Sequence, residues 1–175
     1  EPLVKGVFAT TDRLYVADEH GLRIVDVTQP ATPVLLAACG RGQTFGEGVW
    51  SDDAMAYVAA NYDELVPDEG YPAIHVFDVS DPRQPYLFIE LVAPVRGRAA
   101  DVRVQGRRLY VGAEGGGILI YDISESLDPV YLGAFKTSFA NKLCVVDDVV
   151  YVADGPPEGA GRLVVVDASD PTDMR

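Results

Sequence analysis

Two short anchors recur four times, in the same order, along this 175-residue chain. The first reads LYVAD, AYVAA, LYVGA and VYVAD, with its tyrosine at Tyr15, Tyr57, Tyr110 and Tyr151. The second reads RIVDV, HVFDV, LIYDI and VVVDA, with its aspartate at Asp26, Asp78, Asp122 and Asp167. The aspartates stand 52, 44 and 45 residues apart. A period of that length, written in short β-forming runs, requires a small unit stacked against its own copies, because one such unit cannot bury its apolar face alone.

The third repeat shows how a unit is built. AADVRVQ alternates apolar and polar residues, Gly106 marks a turn, and LYVGA follows as a second strand. Gly115-Gly116-Gly117 makes a tight loop into ILIYDI, a run apolar on both faces that must be covered from both sides. SESLDP turns the chain into VYLGAF. Four antiparallel strands in such a span match one blade of a β-propeller. The expected fold is therefore all-β: four tandem four-stranded antiparallel blades in one domain over 1–175, with repeats at about 4–39, 45–93, 97–136 and 138–175.

The turn after the third strand carries its own signature: DVTQPATP, DVSDPRQP and DISESLDP close on Pro33, Pro85 and Pro129. Proline fixes the backbone at the start of an outer strand, and the Asp with its Ser or Thr can bond nearby amides. The fourth copy begins DASDP but has Met174 in place of the closing proline, and the sequence ends at Arg175. The last blade is thus expected to lack its outer strand, and the four blades to form an open arc of a larger propeller. The alternative is a compact four-bladed ring.

These residues resemble the LVIVD repeat, a family of β-propeller repeats in bacterial and archaeal surface or secreted proteins. LYVADEHGLRIVDVTQPATPV follows the family pattern almost throughout, and IHVFDVSDPRQPYL and LYVGAEGGGILIYDISESLDPVYLG nearly as well. The resemblance implies a scaffold and an extracytoplasmic location (cell surface, periplasm or secreted). It transfers no catalytic motif.

Composition narrows the partners. The net charge of −13, from 27 acidic and 14 basic residues, argues against nucleic acid and anionic membranes, both of which need a basic face. No run approaches the length of a membrane span. The two cysteines, Cys39 and Cys144, fall in an outer and an inner strand, so a bond between them is not expected. The recurring tyrosines and aspartates read as structural, since a residue present in every blade serves packing or a turn.

Departures from the repeat are more informative. Tyrosine-to-aspartate spacing is 11, 21, 12 and 16, so blade two carries an insertion at 61–72 and blade four a smaller one, GPPEGAG. Both fall between second and third strands, on the face shared with the inter-blade linkers, and insertions in repeat proteins mark binding faces. The candidate ligand-binding residues are Arg41, Glu47, Tyr62, Asp63, Glu64, Asp68, Glu69, Tyr71, Arg96 and Arg98. Asp63, Glu64, Asp68 and Glu69 are weak candidates for a hard cation such as calcium, although their spacing is not that of an EF-hand; a solvated acidic loop is the plainer reading. The arginines suit an anionic group or, more simply, pairing with Glu47 or the insertion.

The inventory for catalysis is thin. His20 and His75 are the only histidines, and no metalloprotease, nucleophile-elbow or phosphate-cradling motif is present. Trp50, aligned with Phe8, Arg103 and Cys144, is expected in the core rather than the channel. The functional reading is a non-enzymatic module binding a protein or small molecule on its loop face, without a cofactor beyond possible calcium, and with further blades of the same or another chain as neighbours. The alternative is part of a propeller enzyme or metal-dependent hydrolase whose site spans blades partly absent from these residues.

Overall fold

The computed structural model describes residues 3–40, 44–62, 70–125, 128–156 and 158–175, and among these it has fifteen strands and no helix. They form four separate antiparallel sheets. Blade one is β1 (Val4–Ala9), β2 (Arg13–Asp18), β3 (Gly21–Asp26) and β4 (Val34–Cys39). Blade two is β5 (Thr44–Ser51), β6 (Met55–Tyr62), β7 (Ala73–Asp78) and β8 (Tyr86–Val92). Blade three is β9 (Arg98–Gln105), β10 (Arg108–Glu114), β11 (Gly117–Asp122) and β12 (Val130–Phe135). Blade four has only three: β13 (Ala140–Val146), β14 (Val149–Asp154) and β15 (Arg162–Asp167). Each blade runs in sequence order from inside to outside, the meander that consecutive hairpins dictate.

Among the described residues blade four carries only the start of an outer strand. Arg175 lies eight residues after Asp167, the offset of Val34, Tyr86 and Val130 from their aspartates. Its amide donates to the Asp167 carbonyl and its carbonyl accepts from the Asp167 amide, which is the first rung of an outer ladder. Beyond that rung β15 is a sheet edge.

The anchors divide the labour. The recurring aspartate closes the turn after the third strand in each repeat: Asp26 accepts from the amide and hydroxyl of Thr28, Asp78 from those of Ser80, Asp167 from those of Ser169, and Asp122 from the Ser124 amide. These bonds hold all four carboxyls below the usual carboxylate range. A carboxyl whose pKa is lowered by folding stabilises the fold above its unfolded pKa, and that contribution is lost as pH falls through the folded value. Thermal melts followed by circular dichroism should therefore hold steady towards pH 5 and lose melting temperature below about pH 4, where free carboxylates protonate. Changing all four to Asn should flatten that acid limb; an unchanged limb would remove these turns as its cause.

The tyrosines sit between blades. The cores are three clusters, each shared by two neighbours. Tyr15, Ala17, Leu22 and Ile24 of blade one pack on Val49, Ala56, Val58, Phe77 and Val79 of blade two. Tyr57, Ile74 and Val76 pack on Val102, Leu109, Val111 and Tyr121 of blade three. Tyr110, Ile118 and Ile120 pack on Leu143, Val150, Val152 and Val166 of blade four. Blades one, two and three thus each offer the tyrosine face to the opposite face of the next. Burial pushes the Tyr57 hydroxyl up to about 12, while the Tyr15 and Tyr110 hydroxyls reach across to Asp53 at 2.8 Å and Asp148 at 3.3 Å in the following blade. Arg13 and Arg108 reinforce the same two aspartates at 3.5 and 3.0 Å. Trp50 is half-buried and packs at the margin of the cluster shared by blades two and three, with Phe8 at 5.6 Å and Tyr57 at 6.1 Å between ring centroids.

The blades do not close on one another. Inner strands meet in the series β1, β5, β9, β13, and no comparable packing joins β13 to β1 among the described residues. The end faces stay open: Val7 is 62% exposed on blade one and Val165 53% exposed on blade four. The arrangement is an arc.

Candidate binding face

All four inner strands carry a β-bulge at the same end. The pairing skips one residue between Val4 and Gly6, between Gly46 and Gly48, between Ala99 and Asp101, and between Ala140 and Lys142. The residues left over are Lys5, Glu47, Ala100 and Asn141. A bulge re-aims a side chain and ends regular pairing, so these positions mark the mouth of the channel on the loop face. Lys5 and Glu47, equivalent in their repeats, pair at 3.8 Å, and Arg98 approaches the same Glu47 carboxylate at 3.9 Å. Asn141 donates its side-chain amide to the Gly155 carbonyl at the start of the blade-four insertion.

The blade-two insertion is tethered to this mouth at both ends. Asn61, buried, donates to the Ala99 carbonyl at 2.8 Å and accepts from the Ala99 amide at 3.0 Å. At the other end the Gly97 amide donates to the Gly70 carbonyl at 2.9 Å. The insertion's closing residues therefore lie beside the Arg96–Arg98 linker, with Tyr71 exposed next to them. At the blade-four insertion the bonds stay within the blade: Asp154 accepts from the Phe139 amide at 2.7 Å and from Arg162 Nε at 2.8 Å.

Below the mouth, Asp101 joins three inner strands. It is 1% exposed. One carboxylate oxygen accepts from the Leu143 amide of blade four at 3.0 Å and the other from Arg103 at 2.9 Å. Burial pushes its carboxyl up, against the pull of Arg103. On its other side stands Gly48, where a Cβ would lie 2.6 Å from Asp101 Oδ1 and 2.8 Å from Asp101 Cα.

Of the residues singled out from sequence, the fold brings Glu47, Tyr71, Arg96 and Arg98 to one face, with Glu47 and Arg98 paired. Arg41, Asp63, Glu64, Asp68 and Glu69 lie outside the described residues, as does the Tyr62 side chain, so the calcium expectation falls there. Among the described residues no three His, Cys, Asp or Glu side chains group closely enough to hold a metal ion. The histidines are far from sharing a site: His20 is exposed, with Glu19 at 3.9 Å, whereas His75 is 1% exposed in β7, 3.2 Å from Glu90. Cys39 and Cys144 are both free thiols. Lys5, Asn61, Asn141 and Asp101 escaped the sequence reading. The one trace of the bulges is a single-residue slip in strand alternation, as in Val4-Lys5-Gly6-Val7.

The LVIVD repeat profile matches residues 4–40, 96–137 and 139–175, which are blades one, three and four. The chain belongs to the LVIVD-repeat family. Blade two, with its long insertion, is the copy left unmatched. No curated protein matches this LVIVD-repeat chain. Two computationally designed proteins resemble it in fold. The Ika4 protein aligns with a TM-score of 0.65 at 14% identity, covering 93% of this chain and 90% of that one. The Ika8 protein aligns with a TM-score of 0.62 at 11% identity, covering 86% of this chain but 42% of Ika8. The chain thus spans less than half of the longer design.

Proposed function

We infer that this LVIVD-repeat arc is a non-enzymatic binding module that recognises a partner on its loop face and works outside the cytoplasm. The observation that carries the reading is the shared bulge: four equivalent inner-strand positions turn side chains to one mouth, and the two departures from the repeat, at 61–72 and 155–161, border that mouth. Rigid strands presenting variable loops suit recognition. The described polar groups there form loose ion pairs, Lys5 with Glu47 at 3.8 Å and Glu47 with Arg98 at 3.9 Å, which suits a face that docks a polar surface. The location rests on the family alone.

The acidic insertion makes a divalent cation the first ligand to test. Calcium chloride titrated into the protein by calorimetry should release or absorb heat in the submillimolar to millimolar range typical of extracellular modules, about 10⁻⁴–10⁻³ M. Changing Asp63, Glu64, Asp68 and Glu69 together to Asn or Gln should abolish it. No heat at millimolar calcium removes the cation from the proposal.

A further inference from the structure

We propose that the two open ends of the arc are the halves of one blade junction, and that a second copy of this chain closes it, head to tail, into a ring. The three junctions inside the chain all use one pattern, in which a tyrosine face meets the opposite face of the next blade. Blade four keeps an unused tyrosine face, with Tyr151 39%, Leu163 69% and Val165 53% exposed. These occupy the repeat positions of Tyr15, Leu22 and Ile24, each at most 1% exposed in blade one. Blade one keeps an unused opposite face, through Val7, Leu14 and Val25. These occupy the positions of Val49, Ala56 and Phe77, all buried where blade two receives blade one. Each end is therefore the apolar complement of the other, and neither contacts its complement within the chain.

The polar edge matches too. Tyr110 donates to Asp148, in the turn between the first two strands of the next blade. Tyr151 makes no such bond among the described residues. The residue of blade one at the place of Asp148 is Asp12, whose carbonyl accepts from the Val27 amide as the Asp148 carbonyl accepts from Ala168. A second copy presents Asp12 to Tyr151. Both ends belong to the same chain and differ from each other, so two copies related by a two-fold axis along the channel make two identical new junctions and leave no open face. The superposition on 42% of the Ika8 chain shows that this curvature occurs in a fold more than twice as long as the matched arc.

Sedimentation equilibrium of the 175-residue protein at tens of micromolar and physiological salt tests this. The expected mass is twice 18.8 kDa. Val7→Glu and Val165→Glu, at opposite ends and both exposed in the single arc, should each give a monomer with an unchanged circular dichroism spectrum. An equimolar mixture of the two should recover a dimer, joined by the one junction that pairs intact faces. A monomeric unmodified protein overturns the proposal, and is the result expected if blades outside these 175 residues cover the ends instead. A Val7→Glu protein that stays dimeric while Val165→Glu does not indicates a tail-to-tail dimer and also overturns it. Polymers that lengthen with concentration overturn the closed ring. Should either glutamate variant lose its β spectrum, Val7→Thr and Val165→Thr are read in the same way, with weakened association as the expected result.

Discussion

Replacing Ile120 with alanine should lower unfolding stability by about 2–5 kcal/mol, the usual cost of emptying a buried aliphatic site. Ile120, in β11, is fully buried against the blade-four residues Val150, Val152 and Val166. The informative control is Val165→Ala. Val165 occupies the same repeat position one blade later, yet it is 53% exposed because nothing packs on that face in the single arc. In the single arc its truncation should change stability by no more than about 0.5 kcal/mol, as for other surface sites. Urea denaturation of both variants at a concentration where the protein is monomeric makes the comparison. Equal losses would mean that the last blade is packed in a way the arc does not have.

Gly48→Val should be at least as damaging, and it acts by crowding rather than by cavity. The Cβ alone would meet the Asp101 carboxylate and main chain at 2.6 and 2.8 Å, a contact that neither backbone can relieve without separating β5 from β9. Forcing extra atoms into a packed site commonly costs about 1–3 kcal/mol, and more when the obstacle is main chain. Here the displaced group is also the buried acceptor of the Leu143 amide, so the damage passes on to the junction of blades three and four. Leaving a buried donor unpaired adds roughly 1–3 kcal/mol. The expected result is a protein that is largely unfolded at ambient temperature by circular dichroism. A Gly48→Val protein with an unchanged melting temperature would show that the inner strands stand further apart than this.

What was legible in the sequence follows the range of the physics. Strand order and the turns headed by Asp26, Asp78, Asp122 and Asp167 are set by neighbours within one repeat. Composition and spacing record them directly. Met174 stands where the other turns close on proline, yet Arg175 after it still pairs with Asp167 as Val34 pairs with Asp26. The family was legible for the same reason, since its signature is a local turn. The blade junctions were not. Tyr15 and Tyr110 read as anchors, but their acceptors, Asp53 and Asp148, stand in turns whose length differs between repeats, and the matching turn of blade three carries Arg107. Gly48 and Asp101 are adjacent only because two inner strands converge on the channel. Of the candidate binding face, the pairing of Arg98 with Glu47 was anticipated as one option. Lys5 and Asn141 were missed, because a bulge shifts a side chain without changing which residue types a strand prefers.

The sharing of each core between two neighbouring blades also fixes the order in which the molecule comes apart. Stability in such a stack is close to a sum of blade terms and nearest-neighbour terms. In the single arc, blades two and three have a neighbour on both sides, whereas blades one and four have one each, and blade four in addition ends in a largely unpaired edge. The lowest-energy openings therefore start with β15 and β1 and travel inward, while β6 and β10 persist until the whole stack is lost. A growing chain meets the same gradient in reverse: a blade leaving the ribosome stays marginal until the next arrives to cover its tyrosine face. Folding of this protein is paced by repeats rather than by single strands.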